Sequence, residues 1–192
     1  MPRLHYNAPA VLTFSFLAIL LCLINADNWC AVPGRRHFSI NDPMEYLRLL
    51  THVLGHSGWP HLFGNLTFIL LLGPILEDRY GTGDITLLII VTALVTGLVN
   101  IIFSPHYLLG ASGIVFMLII LASIVNIRGG SIPITFILVV IIFIGKEVGD
   151  GLFKPDNVSQ LTHIVGGLVG AVFGFRVKKR KKTINLQCWL KR

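Results

Sequence analysis

The chain has 192 residues, of which 54% are hydrophobic and only 13% charged, with a mean hydropathy of +0.75. Soluble domains carry about 25% charged residues, so a chain this apolar is excluded from the water-soluble globular class and takes lipid as its solvent. Its net charge of +7 is gathered mostly in residues 176–182, directly after a hydrophobic segment. A basic cluster in that place anchors topology and touches anionic membrane lipid, and no nucleic-acid partner is expected.

Six segments read as spanning helices, at 8–25, 61–76, 85–103, 112–127, 132–144 and 161–175, with a basic cytoplasmic tail at 176–192. The expected fold is all-α: a polytopic membrane helix bundle of six transmembrane helices, forming a single domain over 1–192. The first and third segments approach the roughly 20 apolar residues that cross about 30 Å of hydrocarbon. The fourth to sixth are shorter, and each alone also suits a re-entrant or buried core helix. They count as spans because backbone in lipid must close its own hydrogen bonds, which helices do. The first segment has a competing reading as a signal peptide, but Arg3 is its only flanking cation and Ile24-Asn25-Ala26-Asp27 makes a poor cleavage site. A long outer loop runs from Asp27 to about Pro60, through Val32-Pro33-Gly34-Arg35-Arg36. Within it, Asp42 as N-cap and Pro43 at the first helical position start an amphipathic helix through Leu50. That helix either lies in the membrane interface or is an ordinary loop helix.

Six spans put both termini on one side, with the loops at 77–84 and 128–130. That side holds Arg3, Arg79, Arg128, Arg176, Lys178, Lys179, Arg180, Lys181, Lys182, Lys191 and Arg192, eleven of the 16 Lys and Arg residues. The other side holds Arg35, Arg36, Arg48, Lys146 and Lys154. The positive-inside bias therefore places both termini in the cytoplasm. Cys22, Cys30 and Cys188 fall at different depths, so no disulfide framework is implied.

Polar residues inside spans are costly and are functional-site hypotheses by default. His61 and Asn65 open the second segment, Ser112 the fourth, and His163 lies near the start of the sixth. All three segments run from outside to inside, so the four residues share a shallow depth and can meet. His61 and Asn65, spaced i and i+4, share a helix face. His163 lines up with Gly166, Gly170 and Gly174, a stripe that admits a close neighbouring helix, and Gly110-Ala111-Ser112-Gly113 starts the fourth helix equally slimly. A contact between those helices brings the Ser112 hydroxyl to His163. Histidine then serves as base for a serine nucleophile, and His61, the Asn65 amide and the Ser112 N–H are candidate donors to the oxyanion. No third acid accompanies them, so the set reads as a Ser-His dyad. Taken singly, each element has a blander reading, the serine bonding to its own helix carbonyls and the His–Gly stripe serving packing alone. The serine is not in a hydrolase elbow, which needs glycine where Ile114 stands. His52, His56 and His61 lack a zinc-binding His-Glu-x-x-His pattern or a nearby cysteine, so no metal is expected. His52 and His56 read instead as hydrogen-bonding the outer loop against the bundle.

These residues resemble the rhomboid family of intramembrane serine proteases. The matching pieces are His52-Val-Leu-Gly-His56-Ser-Gly-Trp-Pro-His61-Leu-Phe-Gly-Asn65, Glu77-Asp78-Arg79-Tyr80-Gly81, Gly110-Ala111-Ser112-Gly113 and His163-Ile-Val-Gly166-Gly-Leu-Val-Gly170, covering about His52 to Phe175. The resemblance implies Ser112 as nucleophile, His163 as general base, and His61, Asn65 and the Ser112 N–H around the oxyanion. It makes Glu77 and Arg79 a structural pair, and His56, Phe116, Gly113, Gly166 and Gly170 supports of the site. It further implies single-span membrane proteins as substrates, cut near the outer end of a locally unwound helix, often after a small residue, with no cofactor. Three positions depart from the usual pattern: Leu47 where tryptophan commonly precedes the arginine, Phe116 in place of a frequent tyrosine, and Thr162 in place of alanine. They bear on rate and specificity more than on class. The rival reading is a non-proteolytic relative that binds or escorts membrane helices. Such relatives usually lack the serine or the histidine, and both are present here. A transporter would place its polar groups near the midplane rather than at one face. The small six-span form suits a bacterial plasma (inner) membrane.

Overall fold

The computed structural model describes residues 5–127 and 157–176, with Ile134, Ile137, Leu138 and Ile141 between them. The expected span at 132–144 otherwise lies outside the described residues, as does the tail from 177 onward. Among the described residues there are seven helices and no strand: α1 Pro9–Leu23, α2 Asp27–Cys30, α3 Pro43–Thr51, α4 Trp59–Tyr80, α5 Thr82–Phe103, α6 Ser112–Ile127 and α7 Asn157–Arg176. Helices α4 and α5, of 22 residues each, are long and apolar enough to cross a membrane, and α1, α6 and α7 contain shorter apolar stretches.

The bundle is apolar on its outside as well as within. Phe16, Leu20, Leu71, Ile75, Leu87 and Ile102 are more than half exposed, while Thr92, Thr96 and Asn100 on α5 are buried. Lipid-facing helices are expected to distribute side chains this way, with polar groups turned toward the bundle and apolar ones outward. Helix α6 is the centre. Its Ile114, Val115, Met117 and Leu121 are fully buried, and it packs against α4, α5 and most extensively α7. Helix α1 packs on α4 and α5, and α3 lies against α5.

Helix α3 has the expected start: the Asp42 carboxylate accepts from the Met44 N–H at 2.9 Å, with Pro43 beginning the helix. Leu47 is exposed, and Arg48 donates to the Trp29 carbonyl at 3.1 Å and to Glu45 at 2.8 Å. The rest of the outer loop is sewn onto the turn between α5 and α6. Val32 and Leu108 exchange backbone hydrogen bonds of 3.0 and 2.8 Å, and the Arg35 N–H reaches the Ser104 carbonyl at 2.6 Å. Below them the buried Asn100 amide spans the carbonyls of Val32, Pro33 and His106 at 3.5, 3.4 and 3.1 Å.

One expectation needs correcting. The loop expected at 77–84 shrinks to Gly81, because α4 runs on through Tyr80 and α5 begins at Thr82. Glu77 is therefore helical, and it is not joined to Arg79. Its buried carboxylate accepts from the Ala10 and Val11 N–H groups at 2.9 and 3.0 Å. Helix α1 has no side-chain cap of its own, so a carboxylate from α4 satisfies its first free donors and meets the positive end of its dipole.

Candidate active site

Ser112 is the first residue of α6 and His163 lies in the second turn of α7. Their Oγ and Nε2 atoms stand 2.7 Å apart, at hydrogen-bond distance. Two glycines make this possible. A side chain at Gly166 would overlap the Gly113 carbonyl, and one at Gly170 would overlap the Met117 carbonyl a turn deeper. The α7 backbone thus rests directly on that of α6, as small-residue stripes permit in membranes. Phe116, one turn beyond the serine, stacks flat on the His163 ring, with centroids 4.7 Å apart and planes 10° apart. His163 is buried, and Ser112 and Phe116 are half-buried.

His61 and Asn65 rise from the first two turns of α4 and face the loop that leads into Ser112. A Cβ at Gly110 would lie 2.7 Å from His61 Cε1, 2.9 Å from its Nε2 and 3.9 Å from Asn65 Nδ2. Gly110 also has φ +123°, a backbone state that side chains disfavour. Two independent constraints therefore require glycine there, and they put the imidazole and the amide beside the backbone two residues before the serine. Asn65 is 6% exposed, and its Nδ2 has no hydrogen-bond partner among the described residues. A buried donor left open costs free energy unless something arrives to use it.

The other histidines stand behind this set. His56 meets His61 edge-on at 5.0 Å between ring centroids and has its Nδ1 3.1 Å from the Leu54 carbonyl. His52 is 1% exposed, with Nδ1 against the carbonyls of Arg48 and Leu49 and Nε2 3.3 Å from the Thr96 hydroxyl on α5. Burial lowers its pKa to about 4, so it is neutral in ordinary conditions. Its backbone carbonyl accepts from the Gly110 N–H at 2.9 Å, which ties the outer loop to the approach to Ser112. Ser112, His163, His61 and Asn65 are thus gathered at one end of the bundle, while Glu77 and Arg79 lie at the other end of α4. Two contributors have no role in the motif reading: Asn100, which holds the loop, and Ser57, whose N–H and hydroxyl both lie against His61 Nδ1 at 3.4 and 3.0 Å. Asn100 carried a signal, as a polar residue near the end of a span; an exposed loop serine carries none.

A family model described as the Rhomboid domain matches residues 43–180. "Rhomboid protease GluP" of Bacillus subtilis (strain 168) is 29% identical over 182 residues, covering 87% of this chain and 34% of the relative. "Rhomboid-related protein 2" of Mus musculus is 33% identical over 147 residues, covering 69% of this chain and 48% of the relative. The chain therefore spans about a third to a half of the length of these curated relatives.

Proposed function

The chain belongs to the rhomboid family, an integral-membrane family, and from that premise we propose that it is an intramembrane serine endopeptidase working through a Ser112–His163 dyad. The observation that carries this reading is the 2.7 Å contact between Ser112 Oγ and His163 Nε2. In the proposed reaction the Ser112 hydroxyl gives its proton to His163 Nε2 as Oγ attacks a peptide carbonyl carbon. The carbonyl π pair moves onto oxygen, and Asn65 Nδ2, His61 and the Ser112 N–H stabilise the oxyanion. His163 then protonates the leaving amine as the C–N bond breaks, leaving an acyl ester on Ser112. Water, deprotonated by the same imidazole, attacks the ester and releases the carboxylic acid with Ser112 restored. Phe116 holds the imidazole from below throughout.

Transmembrane proteins are the proposed substrates. We take the chain as one six-span domain with both termini cytoplasmic, in a bacterial inner membrane. The eleven-to-five distribution of Lys and Arg supports the orientation. The dyad then lies near the outer face, where water is at hand for the hydrolytic half of the reaction.

Cleavage of a single-span test substrate by the reconstituted protein, beside Ser112→Ala and His163→Ala, tests the reading. Cleavage by the parent and none by the two folded variants is expected. A parent inert across several substrates moves the helix-binding, non-proteolytic reading to first place. Cleavage by Ser112→Ala removes the nucleophile assignment.

A further inference from the structure

We propose that Ser57 is a positioning residue: it fixes the tautomer of His61 so that Nε2, the ring nitrogen facing Gly110, carries the proton. This rests on the reading of His61 as an oxyanion donor. A backbone N–H can only donate, and that of Ser57 is directed at His61 Nδ1 from 3.4 Å. Nδ1 is therefore an acceptor, and the Ser57 hydroxyl, 3.0 Å from the same atom, donates to it as well. In a neutral imidazole the proton then resides on the other nitrogen. That nitrogen lies 2.9 Å from where a Gly110 Cβ would stand, with Asn65 Nδ2 3.9 Å from the same point.

The local fold explains how the contact arises. Gly58 is the N-cap of α4 and His61 its third residue. In a capping box the side chain at that third position reaches back to the N-cap N–H. Here the imidazole reaches one residue further back and takes up the N–H of Ser57. The geometry of a helix start is thereby turned into control of a proton. With the opposite tautomer, Nε2 would direct a lone pair at the developing oxyanion and repel it. The Ser57 N–H aimed at Nδ1 disfavours that state, because an N–H cannot accept from a protonated nitrogen.

The tautomer has a readout that does not depend on activity. In protein carrying 15N-labelled histidine, above neutral pH, proton-bearing and bare ring nitrogens resonate apart, and His61→Ala assigns the signals. His61 is expected to bear its proton on Nε2 in the parent. Ser57→Pro removes the N–H, and is expected to raise the Nδ1–H fraction about fivefold, the worth of one exposed hydrogen bond. Ser57→Ala keeps the N–H and loses only a hydroxyl that pairs with either tautomer, so the parent ratio is expected. A parent with the proton on Nδ1, or a Ser57→Pro ratio equal to the parent's, overturns the proposal. In cleavage assays Ser57→Pro is expected to lower kcat about fivefold at unchanged KM, and to have no effect in a His61→Ala background. An equal loss in both backgrounds would sink the tautomer account while leaving the dyad in place. An inert parent counts against the protease reading alone, since the resonance measurement still decides the tautomer.

Discussion

Gly166→Ala tests whether the meeting of α6 and α7 sets the distance between serine and histidine. The added methyl would penetrate the Gly113 carbonyl. A carbon resting on a carbonyl oxygen settles at roughly 3.3 Å or more, so α7 must retreat locally by on the order of 1 Å. The retreat acts one turn from His163 and would lengthen the 2.7 Å contact with Ser112 to about 3.7 Å, beyond hydrogen-bonding range. A displacement of about 1 Å at reacting groups costs roughly 100-fold in rate, and overpacking costs about 1–3 kcal/mol of stability. Cleavage of a single-span substrate in proteoliposomes reads the first, and thermal unfolding in detergent the second. Gly170→Ala meets the Met117 carbonyl one turn deeper and is expected to lose similar stability with less rate. Gly64→Ala, whose Cβ would meet nothing within 4 Å, is the control, expected to stay within about twofold of the parent because it alters no packing. Parent-like cleavage by Gly166→Ala, or an equal loss in Gly64→Ala, would refute the reasoning.

Two further outcomes follow from the outer loop. His52 is held neutral by burial, with a pKa of about 4 against an ordinary 6.5, so the unfolded chain binds the extra proton first as pH falls. Stability is therefore full above about pH 6.5 and declines toward pH 4, by roughly 3 kcal/mol in all, after which the slope vanishes; unfolding midpoints across that window measure it, and His52→Gln is expected to flatten the decline. Asn100→Leu removes the amide beneath Val32, Pro33 and His106 and is expected to cost about 2 kcal/mol, chiefly by leaving the buried Pro33 carbonyl without its donor, since Val32 keeps the Leu108 N–H and His106 the Ser104 hydroxyl. A midpoint equal to the parent's would show that the backbone bonds of Val32, Leu108, Arg35 and Gly110 hold the loop without the amide.

The parts of the site that could be read from the sequence are those where a residue violates the rules of its surroundings. Ser112 and His163 stand out because lipid-facing helices exclude such groups, and Gly166 and Gly170 because their spacing repeats every helical turn. Their meeting followed from shared depth together with the slim glycine faces of the two helices. The start of α3 was equally legible, since Asp42 and Pro43 act on neighbours within the same turn. Asn100 escaped because its carbonyl partners in the outer loop lie 67 and 68 residues away and no local pattern connects them. Ser57 escaped because its function depends on which nitrogen of His61 it faces, a matter of side-chain direction at a helix start. Glu77 was read as structural but placed in a loop, because a carboxylate near the end of a hydrophobic stretch looks like the beginning of one, and the donors it serves belong to a helix made much earlier.

That last contact bears on how the molecule is put together. Helix α1 leaves the ribosome 66 to 67 residues ahead of the carboxylate that caps it. Until α4 is made, the leading amides of α1 lack the carboxylate that satisfies them. The two helices then join at the end of α4 remote from His61, a distance of about 24 Å along the helix axis. Completion of the first helix is therefore a late step in biogenesis. A lesion near residue 77 would first be felt at α1, far from the serine, as a helix that forms on time and docks late.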